Sequence, residues 1–171
     1  MSLNQLGIVK RNIVRADAAA VARLSRLGVA TIHEAMGRVG LMKPYMRPIY
    51  PGAHVCGTAV TVLMHPGDNW MLHVVAEQLR EGDVIVAACS ADSDAGFCGE
   101  LLATSFRARG GLGLVIDGGV RDVKELTAMP FPVFARAISA RGTVKSTLGS
   151  VSIPVVYADA LVHPGDVTSP T

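Results

Sequence analysis

The chain has 171 residues, half of them hydrophobic and only 18% charged, with a formal net charge of +2. That balance argues against a disordered chain, and the scattered basic residues argue against a nucleic-acid partner. One Trp, three Tyr and four Phe are too few for a base-stacking surface.

A chain of this length is most simply one domain, able to bury roughly 70% of its unfolded surface. Cys56, Cys89 and Cys98 form no C-x-x-C pair, and no secretory apolar region opens the chain. Reduced thiols and a cytoplasmic location are the expectation. No run approaches the ~18 apolar residues of a membrane span, so no membrane partner is expected.

Residues 1–16 carry no clear period. Asp17 can cap a helix over Ala18–Leu27, with Val21 and Leu24 facing inward and Gly28 ending it. Thr31-Ile-His-Glu34 has the form of a capping box for a second short helix to about Met36. Pro44, Pro48 and Pro51 then mark an irregular connection, so residues 1–50 read as a helical N-terminal arm. Val55–Met64 reads as a strand largely apolar on both sides, as in a sheet covered on each face. His65-Pro-Gly-Asp68 is a turn, matched by His163-Pro-Gly-Asp166, and Asn69–Arg80 has the apolar spacing of a helix. Val84–Cys89 is a second buried strand, completing a βαβ unit.

Ser90–Cys98 reads as a loop, Glu100–Arg109 as a helix, and Leu112–Ile116 as a buried strand followed by a tight bend at Gly118-Gly119. Asp122–Met129 is a short helix stopped by Pro130. Val133–Ile138, Gly142–Val144, Val151–Tyr157 and Ala160–Val162 look like strands, and Val167 opens another. The fold class is α/β with a mixed sheet.

Polar groups just past the carboxyl end of a buried strand are where α/β proteins place ligand sites. Arg121 and Asp122 stand there. Two readings of Asp122 are open locally: a favourable first-turn acid, or a ligand for a hard cation such as Mg²⁺. Arg121 offers a planar fork of donors to a carboxylate or enolate. Gly96 and Gly99 lie at the start of the 100–109 helix, where free N–H groups favour an anion. The five histidines show no ligand spacing, Asp92, Asp94 and Asp117 read first as turn residues and second as acids that support the site from behind, and Cys98 has no visible base partner. No nucleotide-binding glycine motif is present.

Gly99-Glu-Leu-Leu-Ala-Thr-Ser-Phe106 and Gly113-Leu-Val-Ile-Asp-Gly-Gly-Val-Arg-Asp122 resemble the 4-hydroxy-4-methyl-2-oxoglutarate aldolases. These belong to the RraA-like superfamily, which includes the regulator of ribonuclease activity A. The likeness extends to Thr31–Met36, Cys56–Thr61, Gly67–Asn69 and Gly142–Lys145, from about Ala30 to Asp166. It implies a swivelling β/β/α domain with a mixed central sheet and flanking helices.

It also implies a class II pyruvate aldolase that uses a divalent metal, Mg²⁺ first and Mn²⁺ or Co²⁺ as alternatives. The substrate would be 4-hydroxy-4-methyl-2-oxoglutarate or 4-carboxy-4-hydroxy-2-oxoadipate, with decarboxylation of oxaloacetate at the same site. By position, Gly99, Glu100, Leu101 and Leu102 would hold the pyruvyl carboxylate, Arg121 the substrate oxygens, and Asp122 the metal. Glu100 would position or activate a water, and Lys145 would add a charge near the substrate. The family assembles as trimers or hexamers with sites between subunits, so a homo-oligomer is expected. Relatives continue beyond the equivalent of Asp166. The expectation is one domain over 1–171 that lacks this C-terminal segment and the acid it lends a neighbouring site. The alternative is a non-catalytic regulator that binds a ribonuclease or RNA helicase. The Arg121-Asp122 pair favours the enzyme, because the regulator lacks that acid.

Overall fold

Val84–Ala88 and Leu114–Ile116 are apolar at every position, which suits strands buried on both faces. They lie at the centre of the molecule in a computed structural model that describes residues 7–170. The helices are α1 (Ala18–Leu24), α2 (Val29–Ala35), α3 (Trp70–Ala76), α4 (Glu100–Ala108) and α5 (Val123–Ala128). The strands are β1 (Arg47–Pro48), β2 (Gly57–Met64), β3 (Asp83–Cys89), β4 (Gly96–Cys98), β5 (Gly111–Val120), β6 (Val133–Ile138), β7 (Ser150–Val151), β8 (Val155–Tyr157), β9 (Ala160–Val162) and β10 (Val167–Thr168).

The main sheet runs β1-β6-β5-β3-β2-β10, with β4 paired to β5 and β7 to β2. The four central strands are parallel, while β1, β7 and β10 are antiparallel. This is the expected mixed sheet. On one face, α3 contributes Met71, Leu72, Val75 and Ala76, α4 contributes Leu102, Ala103 and Phe106, and α5 contributes Leu126 to one core with Ile85, Leu114 and Ile116. The other face packs Val84, Val86, Val115 and Phe134 against Val155 and Tyr157 of the separate β8–β9 hairpin. The Phe106 ring, fully buried, lies 6.5 Å from that of Phe131, which seats α4 beside the chain entering β6.

Several expected boundaries move. Asp17 does cap α1, accepting the Ala20 N–H at 2.8 Å, but the helix ends at Leu24. There the Ser25 hydroxyl bonds back to Ala22 O, and Arg26 and Leu27 close tighter three-residue turns. Val21 and Leu24 are only half-buried. The capping box does not form: Gly28 is the cap of α2, so Thr31 and Glu34 fall inside the helix. α3 stops at Ala76, well short of Arg80, whose N–H bonds the Asp83 carboxylate. The 90–98 loop contains β4. Gly142–Val144 is a single bridge to Asp68, and the expected 151–157 strand divides into β7 and β8 at Ser152, whose φ is 58°. Part of the arm expected over 1–50 lies outside the described residues.

The largest correction concerns Gly118-Gly119. The chain does not turn there; β5 runs on to Val120, with a register shift against β6 between Ile116 and Gly119. The glycines are needed because β4, paired parallel with β5 here, and the chain leading into it lie close by. A Cβ on Gly118 would sit 2.8 Å from the Phe97 ring, and one on Gly119 would sit 2.5 Å from Asp94 O. The strand therefore ends at Val120, four residues beyond the Leu112–Ile116 apolar run, and Arg121 leaves from its true end.

Candidate active site

Arg121 and Asp122 follow β5 directly. The Arg121 N–H bonds Cys98 O at 2.9 Å, which ties this corner to the residue before Gly99. Asp122 adopts a left-handed conformation (φ 57°, ψ 40°) that Asp tolerates better than most residues. Its main-chain oxygen accepts the Leu126 N–H and so starts α5, but its side chain does not cap that helix. Instead Oδ2 accepts the Glu100 N–H at 3.0 Å, across 22 residues, and caps α4.

The approach is possible only because residue 99 is glycine. A Cβ there would overlap Asp122 Oδ2 and come within 3.0 Å of Arg121 Cγ. Ala103 is the first α4 residue to donate to the chain behind it, to Gly99 O. By helix geometry the N–H groups of Leu101 and Leu102 then point out of the N-terminus, toward the positive end of the dipole. Arg121 Nε lies 3.9 Å from Asp122 Oδ2, a loose pair, and both side chains are more than 40% exposed. A carboxylate, a guanidinium and two free N–H donors therefore share one small surface.

Gly99, Glu100, Arg121 and Asp122 are thus brought together as expected. Leu102 is buried in the core, so only its main chain is available, whereas the Leu101 side chain is 84% exposed beside the acid. Lys145 is exposed on a loop and makes no bond to these four residues; its charge, after burial, lowers the His73 pKa. Cys98 is buried, and burial with the Asp122 charge pushes its pKa up to about 12, which leaves it a poor nucleophile.

Among the described residues no group of three or more His, Cys, Asp or Glu could hold a metal ion. Mg²⁺ does not require such a cage, since it is commonly held by one or two carboxylates with waters and substrate oxygens. Asp122 fits that mode: one oxygen is fixed by Glu100 and the carboxylate is open to solvent. The residues do not fit a structural Zn²⁺ site or a Ca²⁺ cage.

Asp117 was expected in a turn and is instead a strand residue, half-buried, on the sheet face away from α3 and α4. It accepts from Tyr45 Oη (3.1 Å), Arg136 Nε (2.8 Å) and the Ala158 N–H (3.2 Å). Arg136 also pairs with Asp92 at 2.9 Å beneath the Tyr45 ring. These residues line a cleft of about 570 Å³, but its cations are already paired with its acids. A larger apolar cleft of about 940 Å³ lies under α2. Neither includes the Asp122 surface, which is shallow on a single chain. Sequence reasoning missed the Asp117 network because its partners come from three distant segments.

A family model described as RraA-like, Aldolase/RraA, matches residues 29–169. A protein of Halalkalibacterium halodurans named "Putative 4-hydroxy-4-methyl-2-oxoglutarate aldolase" is 26% identical over 80% of this chain, and one of the same name from Burkholderia multivorans is 29% identical over 77%. The chain spans 65% of the length of the first and 80% of the second. The crystal structure of Streptomyces coelicolor RraAS2, from the RNase ES inhibitor RraA protein family, superposes with a TM-score of 0.80 at 26% identity. The match covers 92% of this chain and 83% of that one. The RNA-processing inhibitor RraA of Thermus shares the fold at TM-score 0.75 and 22% identity, over 84% and 87% of the two chains. With the matched region spanning both halves of the Gly99–Asp122 corner, the chain belongs to the RraA-like family.

Proposed function

We infer that the chain cleaves a carbon–carbon bond in small 2-oxo acids, using a divalent cation, Mg²⁺ or else Mn²⁺ or Co²⁺, at Asp122. The substrate is 4-hydroxy-4-methyl-2-oxoglutarate or 4-carboxy-4-hydroxy-2-oxoadipate, and oxaloacetate is decarboxylated at the same site. The observation that carries this reading is the Asp122 carboxylate seated against Gly99 at the α4 N-terminus, with Arg121 beside it.

Leu101 and Leu102 N–H groups would hold the pyruvyl carboxylate, where the helix dipole favours an anion. When bound, the cation supplies Lewis-acid polarisation of the substrate oxygens. The 4-hydroxyl loses its proton to a base, the C3–C4 bond breaks, and its electron pair passes to C3 as a pyruvate enolate. In oxaloacetate the same bond breaks with loss of CO₂. Arg121 stabilises the charge growing on the enolate oxygen, since its guanidinium stays protonated throughout. Glu100, exposed at the same helix start, holds the water or proton that completes turnover. The functional unit is a homotrimer or pair of trimers, in which a neighbour covers Leu101 and deepens the shallow site.

A second reading has its own support in the 26% identity to RraAS2: a non-catalytic regulator of a ribonuclease or helicase. A coupled assay for pyruvate, with Mg²⁺ and with chelator, separates the two. Pyruvate release that chelator and Asp122→Ala both abolish supports the enzyme. Folded, oligomeric protein inert with Mg²⁺, Mn²⁺ and Co²⁺ supports the regulator.

A further inference from the structure

Among the described residues two carboxylates, Asp68 and Asp83, are buried, and neither takes part in the scheme above. Asp68, 3% exposed, ends the His65-Pro-Gly-Asp turn and faces donors on all sides. Its Oδ1 accepts the Trp70 N–H at 2.9 Å. Its Oδ2 accepts the N–H groups of Ser146 and Thr147, both at 2.7 Å, and the Ser146 hydroxyl at 3.2 Å. Burial opposes the charge, but these four hydrogen bonds outweigh it and hold the pKa below the usual carboxylate value.

The backbone around it completes a lattice. Val144 donates to Gly67 O at 2.9 Å, and Asn69 donates to Val144 O at 3.0 Å. On its other side, Asn69 Nδ2 donates to Phe97 O at 2.9 Å, two residues before Gly99. The turn therefore holds the Lys145 loop with one side and the strand leading into the candidate site with the other. Turn geometry alone does not demand this. His163-Pro-Gly-Asp166 makes the same turn, with Asp166 N bonded to His163 O, yet its carboxylate bonds back to the His163 N–H. Asp68 instead reaches 78 residues along the chain.

We propose that Asp68 is a positioning residue: its carboxylate fixes the 144–147 loop and so sets where the Lys145 ammonium stands relative to the Gly99 turn. The consequence for substrate binding rests on the aldolase and decarboxylase reading; the fixing of the loop does not. An amide at position 68 keeps one acceptor oxygen but turns an NH₂ toward N–H donors, so Asp68→Asn should loosen the loop without emptying the core.

The test compares full-length wild type, Asp68→Asn, Lys145→Ala and the double variant. Hydrogen exchange at Ser146 and Thr147 should be at least about tenfold faster in Asp68→Asn, the size expected when a charge-assisted bond is lost, with Leu114–Ile116 unchanged. In the pyruvate assay with oxaloacetate and Mg²⁺, Asp68→Asn and Lys145→Ala should each raise KM about five- to tenfold with kcat within twofold. The double variant should be no worse than Lys145→Ala. Unchanged exchange at 146 and 147 overturns the proposal, and so do KM effects that multiply. If wild type releases no pyruvate, the functional reading fails, and the exchange data still decide whether Asp68 fixes the loop. Should Asp68→Asn not fold, Ser146→Ala removes one bond to the same carboxylate and should speed exchange at Thr147 about threefold over wild type, and exchange at the wild-type rate overturns the proposal.

Discussion

Gly99→Ala is the sharpest perturbation of the corner that joins α4 to β5. Gly99 has φ −145° and ψ −164°, extended backbone that alanine also adopts, so the effect is steric. The new methyl would occupy the place of Asp122 Oδ2 and press on Arg121 Cγ. Asp122 must swing away, which breaks its bond to the Glu100 N–H. A hydrogen bond to a charged group contributes about 1.5–3 kcal/mol. For a domain of this size each kcal/mol moves Tm by roughly 2–4 °C, so a fall of about 3–12 °C is expected. Removing the obstructing carboxylate should relieve the clash. Gly99→Ala combined with Asp122→Ala should therefore melt above the sum of the single effects, by about 1 kcal/mol or more, while activity stays absent. Thermal melts of the four proteins, with pyruvate assays alongside, measure both. A Gly99→Ala protein with wild-type Tm and turnover would refute the reasoning, as would strictly additive melting temperatures.

Asp122→Asn keeps an acceptor for Glu100 and tolerates the left-handed backbone. It should stay within about 1 kcal/mol of wild type in denaturant unfolding, yet lose pyruvate release; retained turnover would remove Asp122 from the chemistry. Asp68, whose pKa is depressed in the folded protein, contributes stability that is present above the unfolded value near ~3.9 and lost as pH falls through the folded value. The Tm gap between wild type and Asp68→Asn should therefore be constant near pH 6 and close below about pH 4; a gap that does not change with pH would contradict this. Arg15 grips the fully buried Asp83 through two 2.8 Å bonds and anchors the arm to β3. Arg15→Ala leaves that carboxylate without its cation and should cost about 3–5 kcal/mol in urea unfolding, where a loss under 1 kcal/mol would show the pair to be dispensable.

The parts of the fold legible in the sequence are those with local causes. Val133–Ile138 and Ala160–Val162 match the observed strands to the residue, because short apolar stretches bounded by Pro or turn residues have few alternatives. Asp17 caps its helix as its position demands. The errors share a tertiary origin. Gly118 and Gly119 look like a bend, yet their bare Cα atoms admit the Phe97 ring of β4 and the Asp94 carbonyl from the loop before it. Asp117 looks like a turn acid until Tyr45 and Arg136 are folded against it. At the site, Arg121 and Asp122 were visible as polar groups past a buried strand. What the Gly99 position does for Asp122 was not visible, since those residues are separated by the whole of α4 and β5. The Pro-Gly-Asp repeats show the limit most directly, with equal sequences and different employment of the carboxylate.

The most direct test of the central claim is continuous detection of pyruvate from 4-hydroxy-4-methyl-2-oxoglutarate and from oxaloacetate, run with Mg²⁺, with chelator, and with Asp122→Asn. Release that depends on Mg²⁺, returns when Mg²⁺ is added back after chelation, and is absent from Asp122→Asn is the predicted result. Folded wild-type protein that releases no pyruvate with any of Mg²⁺, Mn²⁺ or Co²⁺ would contradict it.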